Sequence, residues 1–285
     1  AFSPDGRHLL SSGGDEKVVL WSLDTYAREQ EWPGSQIMAP VAFSPDNLYI
    51  GTGGYAIRVW RVGTTGAPLI DSKEWASSCC FSPGGTVFAA FGAERALMRW
   101  AIPSGLPLAG GWGGTRDSNN GTRFPWGGMT FRPDGAVLAT CYGVLGKRGF
   151  DSVIHLWDAT SGALVNTLEM ECEYAHPLTL SFSPDGVHLA AETGPTLHVW
   201  DVTARREIAA WKVSKKHFKG FAFTPDGETL FAVNNENELR SWDTTTWKEN
   251  GPYDIQIGKL TAIAICGDGR IAVGSGSGHV KILLP

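Results

Sequence analysis

The chain has 285 residues, a net charge of −5, a sequence pI near 5.8 and 42% hydrophobic residues, with 12 Trp, 13 Phe, 36 Gly and 16 Pro. The acidic balance offers no electrostatic invitation to nucleic acid, no run of eighteen apolar residues is present to span a membrane, and the Gly and Pro content suits an all-β chain full of tight turns. Five cysteines, with Cys79 and Cys80 adjacent and Cys141, Cys172 and Cys266 scattered, lack metal-ligand spacing and fit reduced, buried thiols in a cytoplasmic setting.

In chain order, Phe2-Ser3-Pro4-Asp5-Gly6 opens a unit whose second landmark is Trp21. The same pair recurs at 43–47 with Trp60 and, with Gly84 in place of Asp, at 81–85 with Trp100. A long connection, 110–128, precedes the fourth copy at 131–135, which reads on through a long B–C loop at 142–152 to Trp157 and a compact turn at 159–162.

The fifth unit shows one repeat in full. Residues 178–182 alternate as strand A, and Ser183-Pro184-Asp185-Gly186 supplies a type I turn with Pro where φ must be negative and Gly where it can be positive. Residues 187–192 then read as strand B, 193–195 as a turn, 196–201 as strand C ending on Trp200, and 207–213 as strand D. A basic connection with Lys212, Lys215, Lys216, His217 and Lys219 leads to the sixth copy, 223–227, and Trp242. A degenerate seventh, 265–269, has Leu283 at the Trp position.

Successive copies begin 41, 38, 50, 51, 41 and 42 residues apart. A self-similar period near forty means one supersecondary unit repeated, and a four-stranded antiparallel meander repeated seven times builds a β-propeller. A sandwich also has many short strands, but it does not place one motif at every fourth strand. The fold expected is therefore all-β, a seven-bladed propeller of four-stranded blades.

The turn after strand A and the dipeptides Trp157-Asp158, Trp200-Asp201 and Trp242-Asp243 at the end of strand C resemble WD-repeat (WD40) propellers over the whole chain, and the strong Ser-Pro-Asp-Gly turns resemble the prokaryotic type. There are departures. Ser22, Arg61 and Ala101 follow Trp21, Trp60 and Trp100, no unit has the family's Gly-His before strand A, and only Asp15 and Asp151 occupy the family's Asp position. The family's His–Asp network is therefore expected to be missing, with rigidity coming mainly from Trp, Phe and aliphatic packing between blades.

Unit one begins inside strand A and unit seven stops at Pro285 after strand C, so the last blade lacks its outer strand within this chain. The resemblance implies that this strand comes from the other end of the chain. Residues 1–285 are then one propeller domain of a longer protein, with residues before Ala1 supplying the strand or with blade seven left three-stranded.

In an up-down meander the B–C and D–A connections share one face. The two long segments around blade four fall there together, carrying Trp112, Arg116, Asp117, Asn119, Asn120, Arg123, Phe124 and Trp126 on one and Lys147, Arg148 and Phe150 on the other. Aromatic and Arg side chains on loops anchor interfaces. The alternative is that Gly-rich connections differ in length and tuck their Trp over the rim. The basic connection with Lys215, Lys216 and Lys219 lies on the same face, either attracting an acidic partner or standing as a solvated loop.

Two residues before each Trp stand Val19, Arg58, Met98, His155, His198, Arg240 and Lys281, a position expected to be half-exposed. His155 and His198 lack a matching carboxylate or Cys for a metal. No nucleophile elbow, zinc-protease motif, phosphate loop or Cys-x-x-Cys is present. The resulting expectation is a non-catalytic interaction scaffold or sensor without cofactor, binding a protein or peptide, or other domains of its own parent, on the blade-four face. As the resemblance implies, such modules in bacteria accompany kinase, signalling ATPase or protease parts. The alternative is a propeller hydrolase or small-ligand binder with its site at the channel mouth.

Overall fold

A computed structural model describes residues 1–34, 40–92, 97–109, 127–146, 149–172, 179–213 and 217–285. Seven small antiparallel sheets follow one another along the chain, and no helix occurs among the described residues.

Blade one comprises β1 (His8–Ser12), β2 (Lys17–Ser22) and β3 (Arg28–Pro33). Blade two comprises β4 (Val41–Phe43), β5 (Tyr49–Thr52), β6 (Ile57–Arg61) and β7 (Ile70–Ser72), and blade three β8 (Ala76–Phe81), β9 (Val87–Gly92) and β10 (Leu97–Ala101). Blade four has β11 (Met129–Phe131), β12 (Val137–Gly146), β13 (Gly149–Asp158) and β14 (Leu164–Cys172). Blade five has β15 (Leu180–Phe182), β16 (His188–Thr193), β17 (Thr196–Asp201) and β18 (Arg206–Lys212). Blade six has β19 (Phe218–Phe223), β20 (Thr229–Asn234), β21 (Glu238–Asp243) and β22 (Glu249–Asp254), and blade seven β23 (Leu260–Ile265), β24 (Ile271–Ser275) and β25 (Val280–Leu283).

Four sheets carry the expected four strands, and blade seven ends at its third. Blade one has only the end of its first strand, as expected of a unit that begins inside strand A, whereas blade three falls short of the expectation among the described residues. The inner strand of blade one is reduced to a single bridge, Phe2 to Leu9, and the outer strand of blade three to one between Trp100 and Pro107.

The Ser-Pro-Asp-Gly turns explain why the strands reverse where they do. The amide of each seventh-copy or regular turn's last residue donates to the carbonyl three residues back, as in Gly6 to Ser3 at 2.9 Å and Gly186 to Ser183 at 2.8 Å. That last residue has positive φ in all seven copies, from 63° at Asn47 to 88° at Gly269, which is why Gly or Asn stands there.

The repeat Trp does its work between blades. Trp60, Trp100, Trp157, Trp200 and Trp242 each pack in the cluster shared with the preceding blade. Leu283 takes that place between blades six and seven, and Trp21 between blades seven and one. Seven interfaces thus hold seven apolar clusters, and the ring is closed. Deleting one such indole costs about 3–5 kcal/mol, since a cavity remains where the blades met.

Some of the repeat indoles are also hydrogen-bonded within their own blades. Trp21 Nε1 donates to Ser11 Oγ at 2.8 Å, and Trp157 Nε1 to Thr140 Oγ1 at 2.9 Å. Packing is therefore not the whole source of rigidity in blades one and four.

Candidate functional site

Blade four departs most from the repeat. Its β12, β13 and β14 have 10, 10 and 9 residues, whereas the other strands have three to seven. The segment expected as a B–C loop, 142–152, is instead paired strand: Tyr142 is opposite Val153, Val144 opposite Asp151 and Gly146 opposite Gly149. β14 follows alongside, with Ser152 opposite Met170 and Phe150 opposite Cys172. Four residue pairs beyond the length usual in this propeller carry the arm about 13 Å further, at roughly 3.4 Å per residue.

Gly143, Gly146 and Gly149 punctuate the segment and favoured the loop reading. Ladder bonds use the backbone alone, however, and a third long strand braces the hairpin on one side. The legible signal was β14 itself, whose alternating run outlasts every other fourth strand.

The root of the arm is fixed by buried polar contacts. His155 stands opposite Thr140 and diagonal to Tyr142, whose hydroxyl lies 3.4 Å from His155 Nδ1. The imidazole meets the edge of Trp157 at a centroid distance of 5.3 Å.

The long connection entering blade four ends in a clamp. Ser77 Oγ donates to the Gly127 carbonyl at 2.7 Å and accepts its amide at 3.2 Å, and the Gly128 amide points at Cys141 Sγ at 3.2 Å. A Cβ on Gly127 would lie 2.1 Å from the Cys141 carbonyl oxygen, so only glycine permits this approach. The exit of the connection is thus held against β8 and β12, beside the arm.

Of the residues expected at the site, Trp112, Arg116, Asp117, Asn119, Asn120, Arg123, Phe124, Trp126, Lys147, Arg148, Lys215 and Lys216 lie outside the described residues. Phe150 is in β13, near the tip of the arm. Lys219 is exposed on β19 rather than in a loop.

Lys219 has a neighbour that sequence reasoning missed. Glu192 on β16 is 4% exposed; its Oε1 accepts from the Thr179 hydroxyl at 3.2 Å, while Oε2 has no hydrogen-bond partner. Burial pushes its pKa up to about 8, against smaller opposing effects of the Thr179 hydrogen bond and the Lys219 charge.

His155 and His198, expected half-exposed, are buried at 7% and 8%. The reason is local pairing. His198 stacks on Trp200 and places its ring nitrogens 3.0 Å from Thr193 Oγ1 and 2.9 Å from Glu207 Oε1. Among the described residues no group of three or more His, Cys, Asp or Glu could hold a metal ion.

The six regular innermost strands, β4, β8, β11, β15, β19 and β23, contain no Asp, Glu or His and a single charged residue, Lys219. Among the described residues, Cys79, Cys80, Cys141 and Cys266 form no disulfide. Burial raises Cys80 and Cys141 to about 12, which disfavours their thiolates near neutral pH. No helix is long and apolar enough to cross a membrane among the described residues.

Comparison with known proteins agrees with this architecture. Residues 1–22 match the family model described as WD domain, G-beta repeat. The chain is 28% identical over 262 residues to "Cross-pathway control WD-repeat protein 2" of Flammulina velutipes, spanning 86% of this chain and 78% of that protein. That relative is fungal, so the prokaryotic character expected from the turns is not carried by it. The solved β-propeller domain of Cps50 (Swd1) from Myceliophteria thermophila superposes with a TM-score of 0.81, covering 99% of this chain and 95% of that one. At 14% identity that likeness concerns the fold.

Proposed function

We infer, from a seven-bladed propeller carrying WD40-type repeats, that this chain is a non-catalytic protein-interaction scaffold or sensor module, and that it presents the blade-four face to a protein or peptide partner. The observation that carries the proposal is the arm formed by β12, β13 and β14. A three-stranded projection of this length is not needed to complete a blade, because the other blades close with shorter strands. It adds surface beside the exit of the 110–126 segment, whose Trp, Arg and Phe residues are the types that anchor interfaces.

The innermost strands supply no converging acids or bases for hydrolysis at the channel mouth, which favours recognition over catalysis. The relative named for cross-pathway control is a WD-repeat protein, in keeping with a scaffold role. The partner in this proposal is neither nucleic acid nor membrane, and the setting is the cytoplasm.

The test is a chain in which residues 144–151 are replaced by a two-residue turn, compared with one in which Trp112, Trp126 and Phe150 are changed together to Ala. Both variants keep the wild-type Tm and lose the proteins that the wild type recovers from its native lysate. Undiminished recovery by both variants removes the blade-four face from consideration.

A further inference from the structure

We propose that a cleft between blades three and four, on the face of the A–B and C–D turns, is a carboxylate site that seats an Asp or Glu side chain of a peptide partner. This face is opposite the arm, and the inference stands apart from the function proposed above.

In six of the seven repeats the turn aspartate accepts the backbone amide two residues further on. The pairs are Asp5 with Arg7 at 3.0 Å, Asp46 with Leu48 at 3.0 Å, Asp134 with Ala136 at 2.9 Å, Asp185 with Val187 at 3.0 Å, Asp226 with Glu228 at 2.9 Å and Asp268 with Arg270 at 3.1 Å. In four of them the carboxylate also takes the hydroxyl two residues earlier, from Ser3, Ser44, Ser183 and Thr224 at 2.5 to 2.6 Å.

The third repeat has Gly84 at this position. Ser82 and Thr86 are in place, and Ser82 Oγ accepts the Val87 amide at 3.1 Å as its counterparts do. The carboxylate that answers the Thr86 amide position and the Ser82 hydroxyl position in the other turns is absent from the chain. The backbone does not demand glycine: a Cβ on Gly84 would meet nothing within 4 Å, and its φ lies outside the left-handed region.

A cleft of about 200 Å³ opens at this point. It is lined by Ser82, Pro83, Thr86, Arg99, Phe131 and Ala159. A carboxylate entering where the missing aspartate would stand meets the Thr86 N–H and the Ser82 hydroxyl, in a cleft that Arg99 also lines and that has Pro83, Phe131 and Ala159 as apolar walls. Charge-assisted bonds of this kind are the strong class. The volume is below the ~300–1,000 Å³ of sites for drug-sized ligands, which fits a single side chain.

The experiment follows the Thr86 backbone amide by NMR while acetyl-Gly-Asp-Gly-amide is titrated into the whole chain, with acetyl-Gly-Asn-Gly-amide and sodium acetate as matched probes. The Asp peptide moves this resonance downfield and saturates, binding about tenfold or more tightly than the Asn peptide and more tightly than acetate. Gly84→Asp supplies the carboxylate internally, raises the Tm and abolishes the response; Gly84→Ala folds and retains it. Equal binding of the Asp and Asn peptides, or an unchanged response in Gly84→Asp, overturns the site. Acetate binding as tightly as the peptide overturns a peptide side chain as its occupant.

Discussion

Arg270 Nη2 donates to the Gly6 carbonyl at 2.6 Å, joining positions 264 residues apart in the chain. The same guanidinium is held by Asp268 at 2.7 Å, so blade seven reaches blade one with a side chain already oriented. The apolar cluster at this junction has three buried members, Leu9, Leu23 and Ala272, fewer than any other in the ring. A polar clasp therefore carries more of the closure here than elsewhere.

Arg270→Ala removes that clasp. A charged donor to a carbonyl contributes about 1–2 kcal/mol, which lowers the Tm by roughly 2–6 °C in a domain of this size. Calorimetry gives the shift, and amide exchange should quicken first at 8–12 and 271–275. Uniform quickening around the ring would show that the junction is not its weak point.

Trp242 is fully buried and its Nε1 has no hydrogen-bond partner. Ser11 and Thr140 accept from Trp21 and Trp157 at the position two beyond the residue opposite each Trp; in blade six that position is Ala232. Ala232→Ser supplies the acceptor and raises stability by about 1 kcal/mol, because an unanswered buried donor costs about that much or more. The indole N–H resonance of Trp242 moves downfield with it. A loss of stability would mean that the added oxygen does not reach the indole.

Glu192 imposes a pH dependence. Its folded pKa of about 8 lies above the unfolded value near 4.3, so the folded state binds more protons between them and stability falls as pH rises through that window. Above pH 8 the loss is complete. Glu192→Gln removes up to about one proton from the slope and stabilises the chain at pH 8 more than at pH 4. Denaturant midpoints measured across this range decide it; parallel profiles for the two chains would contradict it.

The turn aspartates act in the opposite direction. Burial pushes Asp185 upward, but hydrogen bonds from the Ser183 hydroxyl and the Val187 amide outweigh it and hold the carboxyl below its usual range; Asp5 is lowered in the same way by Ser3 and Arg7. The Thr224 hydroxyl lowers Asp226, and the Arg132 and Arg270 guanidinium groups lower Asp134 and Asp268. The stability these groups contribute is fully present above the unfolded value of about 3.9 and is lost as pH falls through the folded values. Asp5→Asn with Asp185→Asn therefore weakens the chain at pH 7 and flattens its acid limb, the difference from the wild type shrinking as the pH falls through the folded values.

The sequence by itself determined the number of blades, their order and the position of the repeat Trp, or of Leu283 in its place, in each unit. A strict motif period leaves one way to stack the meanders, and turn chemistry at each Ser-Pro-Asp-Gly is local. Even the substitution at Leu283 was readable, because the period assigned its place before any contact was known. The tertiary structure alone decided the rest. Whether 142–152 is loop or ladder depends on the length of β14, a partner from elsewhere in the sheet. The burial of Glu192 depends on packing around β16, and the cleft beside Gly84 exists only because the fold brings Arg99, Phe131 and Ala159 to it. Such environments are made by residues far apart in the chain, and no spacing between them records the enclosure they form.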